Sequence, residues 1–167
     1  MMTEALPPSP KAFTNAMRAL VGHCSVLTVG TGDDISGLVV TSAISLSADP
    51  PLLLACVNRA SSSWPLLEKY RRFGWSSLGA QHQPVAERFA GFGGIKGKDR
   101  YADADWIETG YGNLLLADSP AAFDCAVEEM IDRATHSIVI GRIRSIRVNP
   151  EQGAMTYWNC GFRALPA

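Results

Sequence analysis

The chain has 167 residues, 47% of them apolar and 19% charged, with a formal net charge of −1. That length buries one real core without help from disulfides or a structural metal, and the composition excludes disorder and collagen-like repeats. The near-neutral charge removes the electrostatic footprint of a nucleic-acid binder, and no apolar run approaches the roughly 18 residues that a membrane span requires.

Residues 1–11, which include Pro7, Pro8 and Pro10, read as a disordered or extended lead-in, and residues 12–167 as a single domain. The N-terminal stretch lacks the basic start and apolar segment of a signal peptide, so a soluble cytoplasmic protein is expected. A helix is predicted from Ala12 to Val21, with Phe13, Met17, Leu20 and Val21 on one face. Cys24 to Val29 and Gly37 to Thr41 read as a hairpin around Gly30-Thr31-Gly32-Asp33-Asp34. After Asp49-Pro50-Pro51, the continuous apolar run Leu52 to Val57 suits a strand buried on both faces. Ser62 or Ser63 is placed to cap a short helix from Trp64 to Tyr70. Arg72 to Leu78 follows as a strand, and Gln83 to Ala90 as a helix ended by Gly91. Gly91 to Lys98 is a flexible, cationic loop. Strands are then predicted at Trp106 to Glu108, Leu114 to Ala117, Ser137 to Val148 and Met155 to Asn159.

One segment carries two patterns. Ser119-Pro120 followed by Phe123, Ala126, Val127, Met130 and Ile131 has a cap, an N1 proline and a helical period. The same stretch also alternates, with Phe123, Cys125 and Val127 on one side and Asp124 and Glu128 on the other.

Four cysteines, Cys24, Cys56, Cys125 and Cys160, form no CxxC pair and read as reduced thiols. The three histidines, His23, His82 and His136, are scattered and suggest no metal site. Nucleotide signatures fail: Gly91-Phe92-Gly93-Gly94-Ile95-Lys96 breaks GxGxxG at its last position and follows a helix rather than a strand. No nucleophile elbow exists either, which argues against a hydrolase and leaves no residue marked as a catalytic side chain.

What stands out is a run of small hydroxyl residues from Thr41 to Ser47, ahead of Asp49-Pro50-Pro51, and a second at Asn58-Arg59-Ala60-Ser61-Ser62-Ser63. At strand ends such residues present O–H and N–H groups to a phosphate or heterocycle, although ordinary turns and caps use the same residues.

The order Thr41-Ser42-Ala43-Ile44-Ser45-Leu46-Ser47, Asp49-Pro50-Pro51-Leu52, Val57-Asn58-Arg59 and Ser61-Ser62 resembles the short-chain flavin reductase family. These are the reductase components of two-component flavin monooxygenases. Arg72-Phe73, Gln81, Phe89-Ala90-Gly91, Asp99-Arg100-Tyr101, His136 to Arg142, Tyr157 and Gly161-Phe162 continue the likeness in the same order.

The resemblance implies a mainly β fold with flanking helices: a six-stranded antiparallel split β-barrel, the FMN-binding split barrel, usually as a homodimer. It also implies a strand over Ala122 to Glu129, against the local helix signal. It implies reduction of FMN or FAD by NADH or NADPH, with the reduced flavin passed to a partner monooxygenase. The alternative is a barrel of the same kind that reduces iron or a corrin, or binds flavin or haem without turnover. Flavin contacts are implied at Thr41, Ser42, Ala43, Ile44, Ser45, Asn58, Ser61, Ser62, Gln81, Lys98 and Arg100, and nicotinamide contacts at His136 and Tyr157. The family's usual Gly-Asp before the histidine is here Ala134-Thr135. Arg142, Arg144 and Arg147 form a basic cluster on the late strand, read as a solvated face. Trp106, Tyr111 and Trp158 lie in segments too short for one small barrel to cover, which also favours a second copy.

Overall fold

Local signals set the helix boundaries. The computed structural model describes residues 7–167, and its first helix, α1, spans Pro10–Met17. Ser9 caps α1 by accepting from the Ala12 amide at 3.2 Å, and Pro10 occupies the first turn, where a missing N–H costs nothing. The helix thus starts inside the expected lead-in and stops at Met17 instead of Val21, while residues 1–6 lie outside the described residues. Helices α2 (Trp64–Tyr70) and α3 (Gln83–Ala90) also carry a first-turn proline, and α3 ends on left-handed Gly91 as the sequence predicts. Ser63 stands at the α2 N-cap, but its hydroxyl does not cap. It donates to Gly37 O at 2.8 Å and lies 3.0 Å from Ser36 Oγ, tying the helix to a strand.

The strands are β1 (Gly22–His23), β2 (Ser25–Thr31), β3 (Asp34–Val40), β4 (Ala43–Ala48), β5 (Pro51–Asn58), β6 (Arg72–Ser77), β7 (Trp106–Glu108), β8 (Leu114–Leu116), β9 (Ala121–Arg133), β10 (His136–Val148), β11 (Ala154–Trp158) and β12 (Gly161–Leu165). Seven of them form one sheet in the order β3-β2-β6-β9-β10-β5-β4, with β1-β11-β12 and β7-β8 as small additions. The fold is mainly β with three flanking α-helices. The expected count of six strands is corrected: the ladder has seven, and its edges β3 and β4 are not hydrogen-bonded to each other. The hydroxyl-rich run after Ser42, which local rules read as a strand-end turn, pairs with β5 as a strand of its own, Ala43 opposite Ala55 and Ile44 opposite Leu54.

The sheet still wraps one core. Leu27 of β2, Val40 of β3, Ala43 of β4, Val57 of β5, Phe73 of β6 and Val139 of β10 belong to one buried cluster with Trp64 and Leu67 of α2. Val26, one residue from Leu27 and so on the opposite face of β2, joins Phe89 of α3, Leu116 of β8 and Met155 of β11 in a second cluster. Burial on both faces explains why β2 is so uniformly covered.

β9 settles the ambiguous segment as a strand. It pairs with β6 on one side and β10 on the other, and a helix would leave both ladders short of partners. Ser119, which reads as a helix cap, instead places its hydroxyl 2.6 Å from Ser77 O and 2.8 Å from Ala121 O. In β10, Gly141 permits a close approach: a Cβ there would sit 2.4 Å from the Phe73 ring. Among the described residues no helix is long and apolar enough to cross a membrane.

Two surface expectations change. Trp106 is partly buried, its ring 5.3 Å from Phe89 and 4.8 Å from Tyr101 between centroids, whereas Tyr111 and Trp158 remain exposed. The basic cluster on β10 is not a plain solvated face. Arg142 pairs with Glu128 at 2.6 Å, and Arg144 reaches fully buried Asp124 at 2.5 Å.

Candidate functional site

The end of β3, the turn before α2 and the loop after α3 meet along one groove. Its polar part, about 360 Å³, is lined by Gly37 to Val39, Ser61 to Ser63, Phe89, Ala90 and Arg100. Its apolar part, about 220 Å³, is lined by Val39, Thr41, Ala90, Phe92, Tyr157 and Phe162. Val39 and Ala90 line both, so the two parts adjoin. Small and branched apolar side chains make the floor. Tyr157 and Phe162, paired across β11 and β12, make one wall with ring centroids 5.3 Å apart.

The polar part holds two unsatisfied donors. Arg100 is only 8% exposed, and its Nη1 donates to the Phe89 carbonyl and, at 3.4 Å, to Arg88 O. Its Nε is buried without a partner, as is Ser61 Oγ. Burial pulls the Arg100 guanidinium below its ordinary value, partly opposed by Tyr101, yet arginine starts so high that it stays charged. Ser61 and Arg100 both line the cavity, and a charged guanidinium beside hydroxyl groups is a setting that suits an anion, although these two unpaired atoms themselves lie beneath the cavity surface.

Of the residues singled out from sequence, Thr41, Ser61, Ser62, Arg100 and Tyr157 line this groove. Ala43 does not face it: its side chain is fully buried in the core, so only its backbone is free for contact. Ser42 Oγ donates to Cys56 O at 3.1 Å, which joins edge strand β4 to β5, and Ile44 and Ser45 lie exposed along that strand. Asn58 ends β5 and turns the chain: its Oδ1 accepts from the Ala60 amide at 2.9 Å, and its carbonyl accepts from Ser61 N at 3.0 Å. The same turn is laced to the β9–β10 turn. Arg59 bonds Asp132 at 3.0 Å and Ala134 O at 2.5 Å, which brings His136 opposite Asn58. His136 is exposed, with Nδ1 2.8 Å from Thr135 Oγ1.

Two residues lie elsewhere. Lys98 pairs with Asp33 at the β2–β3 turn, 3.2 Å away. Gln81 faces a separate cavity, where its amide donates to Gln152 at 2.7 Å and to Asp118 at 3.3 Å. Sequence reasoning missed Val39, Ala90 and Phe92 as groove residues. Val39 and Ala90 look like any strand and helix residues. The signal for Phe92 was available: an aromatic side chain flanked by Gly91, Gly93 and Gly94.

Residues 17–166 match the family model described as a flavin reductase like domain. The FMN reductase (NADH) RutF 2 of Methylorubrum extorquens (strain PA1) is 30% identical over 158 residues, covering 95% of this chain and 91% of that protein. The FMN reductase (NADH) RutF of Enterobacter sp. (strain 638) is 28% identical, covering 93% of each. Among solved structures, BorF, the flavin reductase component of a bacterial two-component tryptophan halogenase, superposes with a TM-score of 0.86 at 28% identity, over 95% of this chain and 99% of that one. A Streptomyces globisporus NADH:FAD oxidoreductase, solved with NAD and FAD fragments, shares the fold with a TM-score of 0.86 at 24% identity, covering 98% and 97% of the two chains.

Proposed function

This chain belongs to the flavin reductase family, and we infer that it is an NAD(P)H-dependent flavin reductase, moving a hydride from NADH or NADPH to FMN or FAD. One observation of the structure carries the reading: Ser61, Ser62 and the charged Arg100 line the polar cavity, and the apolar cavity that shares Val39 and Ala90 with it is lined by Phe92, Tyr157 and Phe162. A flavin has that polarity, a phosphate at one end and a planar ring at the other, and the residues present fit it.

Bound flavin and nicotinamide supply the hydride donor and acceptor. The chain supplies binding, orientation and exclusion of water. Ser61, Ser62 and Arg100 hold the phosphate by charge-assisted hydrogen bonds. Val39 and Ala90 form a floor low enough for a flat ring, and Tyr157 and Phe162 keep water from its side. Thr41, Ser42 and the β4 residues Ala43 to Ser45 offer backbone and hydroxyl groups beside that ring, and Asn58 offers an amide that both donates and accepts. His136 and Tyr157 hold the nicotinamide. No side chain forms a covalent bond with either partner in this scheme.

The wider setting belongs to the same proposal. The wrapped sheet, with its edges joined by packing and not by hydrogen bonds, supports a split-barrel reading of the fold. Helix α1 buries none of its residues and leaves Phe13 and Met17 exposed beside Leu20 and Val21, which supports a homodimer. The likeness to a halogenase reductase component supports delivery of reduced flavin to a partner oxygenase. Four unpaired cysteines suit the reducing cytoplasm.

The test is a matrix of NADH and NADPH against FMN and FAD, with kcat/KM for each pair. Flavin-dependent nicotinamide oxidation in at least one pair is expected. Flavin binding without turnover in any pair would retire the reductase and leave a flavin carrier.

A further inference from the structure

We propose that Phe92 is a positioning residue that closes the apolar end of the groove over the flavin ring, carried on a glycine-hinged strap. The inference rests on the flavin reading of the groove.

The strap runs from Gly91 to Gly97 and is fixed at both ends. At the near end, the Gly91 amide donates to Arg88 O at 3.0 Å. At the far end, Arg100 holds the Phe89 carbonyl, and Tyr101 OH donates to Ser36 O at 2.6 Å. Between these roots, the strap's backbone bonds are all local: Gly94 N to Gly91 O at 3.1 Å, Ile95 N to Phe92 O at 3.5 Å and Asp99 N to Lys96 O at 3.2 Å. Gly91, Gly93, Gly94 and Gly97 all take left-handed φ, at 81°, 68°, 79° and 53°. At Gly93 and Gly94 an added Cβ would meet nothing within 4 Å. Glycine is therefore not there to make room. It is there for the backbone shape, which no other residue adopts as cheaply.

The one aromatic side chain on this strap is Phe92. Its ring is 57% exposed, yet it lines the apolar cavity with its centroid 6.4 Å from that of Phe162. Phe162 in turn packs edge-on against Tyr157. Leaving an apolar ring in water is unfavourable unless something covers it. Three rings converging on one cavity beside Thr41 leave a flat, apolar, aromatic-sided slot. A planar heterocycle satisfies that slot by stacking or edge contact.

The test uses the full chain and three proteins: wild type, Phe92→Ala and Phe92→Tyr. FMN affinity is read by quenching of flavin fluorescence, with steady-state kinetics at varied FMN and sedimentation alongside. Phe92→Ala is expected to bind FMN about tenfold more weakly, a change of about 1.4 kcal/mol. The KM for FMN should rise by a similar factor, a change that a purely structural role for the ring would not produce. Phe92→Tyr keeps the aromatic face and is expected to restore affinity to within about twofold. Unchanged affinity in Phe92→Ala overturns the proposal, as does Phe92→Tyr binding as weakly as Phe92→Ala. A loss of affinity that merely follows dissociation of an oligomer also overturns it, by assigning the ring to a subunit contact. If wild type itself binds neither FMN nor FAD, the flavin reading falls first. If wild type binds and Phe92→Ala binds equally well, only the role of Phe92 falls.

Discussion

Asn58 and His136 face each other across the β5–β10 ladder, each at the end of its strand. The Asn58 turn leads directly to Ser61, so the register that places His136 also places the buried hydroxyl of the groove. If His136 holds the nicotinamide, His136→Ala raises the nicotinamide KM while flavin affinity holds, at a cost of about 1–2 kcal/mol in kcat/KM. The side chain is exposed, so the fold should not suffer. Kinetics with both nicotinamides check this. Unchanged parameters for both would leave His136 as a strand-end residue.

Ser61 separates stability from binding. Its Oγ is buried with no partner, so removing it relieves an unsatisfied polar group. Ser61→Ala should therefore melt at the same temperature as wild type or slightly higher without flavin. It should bind flavin about tenfold more weakly, the worth of one hydrogen bond to a charged phosphate. Thermal melts with and without FMN measure both. A variant that loses stability but keeps its flavin affinity would place the anion elsewhere.

Much of this was legible in the chain, and the failures have physical causes. The end of α3 was readable because Gly91 acts locally, whereas the Ser9-Pro10 cap of α1 was passed over because the neighbouring prolines read as an extended lead-in. β9 was not readable from its own residues. Its helical period is real, but pairing with β6 and β10 along its length outweighs it. The strand nature of Ala43 to Ala48 was hidden because its core contact depends on β5 across the ladder, not on its own alternation. In the site, Ser61 and Arg100 were named from sequence and lie together. Lys98 and Gln81 were named with them, but Asp33 claims the first, and Asp118 and Gln152 the second. Long side chains go where a counter-charge or an amide waits, and spacing does not reveal that.

Asp124 and Arg144 form the buried ion pair of the sheet, and their partners predict unequal costs. Asp124 also receives Thr109 Oγ1 and, at 3.1 Å, Asn113 Nδ2. Removing Asp124 strands Arg144, Thr109 and Asn113 together, so Asp124→Ala should cost about 3–5 kcal/mol. Removing Arg144 leaves Asp124 with two donors, and the Arg144 side chain is itself 22% exposed. Arg144→Met should cost only about 1–2 kcal/mol, part of it from the lost stacking on Tyr111. Urea unfolding measures both, and equal losses would contradict the asymmetry.

Ala134 joins β9 to β10 with φ of 50°, a left-handed position for a residue that carries a Cβ. That conformation costs an L-residue about 1–2 kcal/mol. Glycine removes the strain but adds freedom to the unfolded chain. Ala134→Gly should therefore stabilise the protein by a net ~0.5–1 kcal/mol. Chemical denaturation checks the sign. A loss of stability would mean that the methyl group of Ala134 packs favourably enough to outweigh its backbone.

The cysteines differ in reactivity through burial. Burial pushes the Cys24 thiol up to about 11, and burial followed by the neighbouring Asp124 charge pushes Cys125 up to about 12. A raised thiol pKa means less thiolate at any given pH, and thiolate is the reactive form. At pH 8 a thiol with a pKa near 11 is ionised to only about one part in a thousand. Both side chains are also fully buried, so the reagent cannot reach them. Cys160, by contrast, is exposed at the tip between β11 and β12. A thiol-specific chromogenic reagent at pH 8 should label Cys160 quickly in the folded protein, whereas Cys24 and Cys125 should react only after denaturant is added. Raising the pH to 9 should still leave the buried pair protected. Rapid labelling of Cys24 or Cys125 in the native state would show that the sheet opens locally far more often than its packing implies.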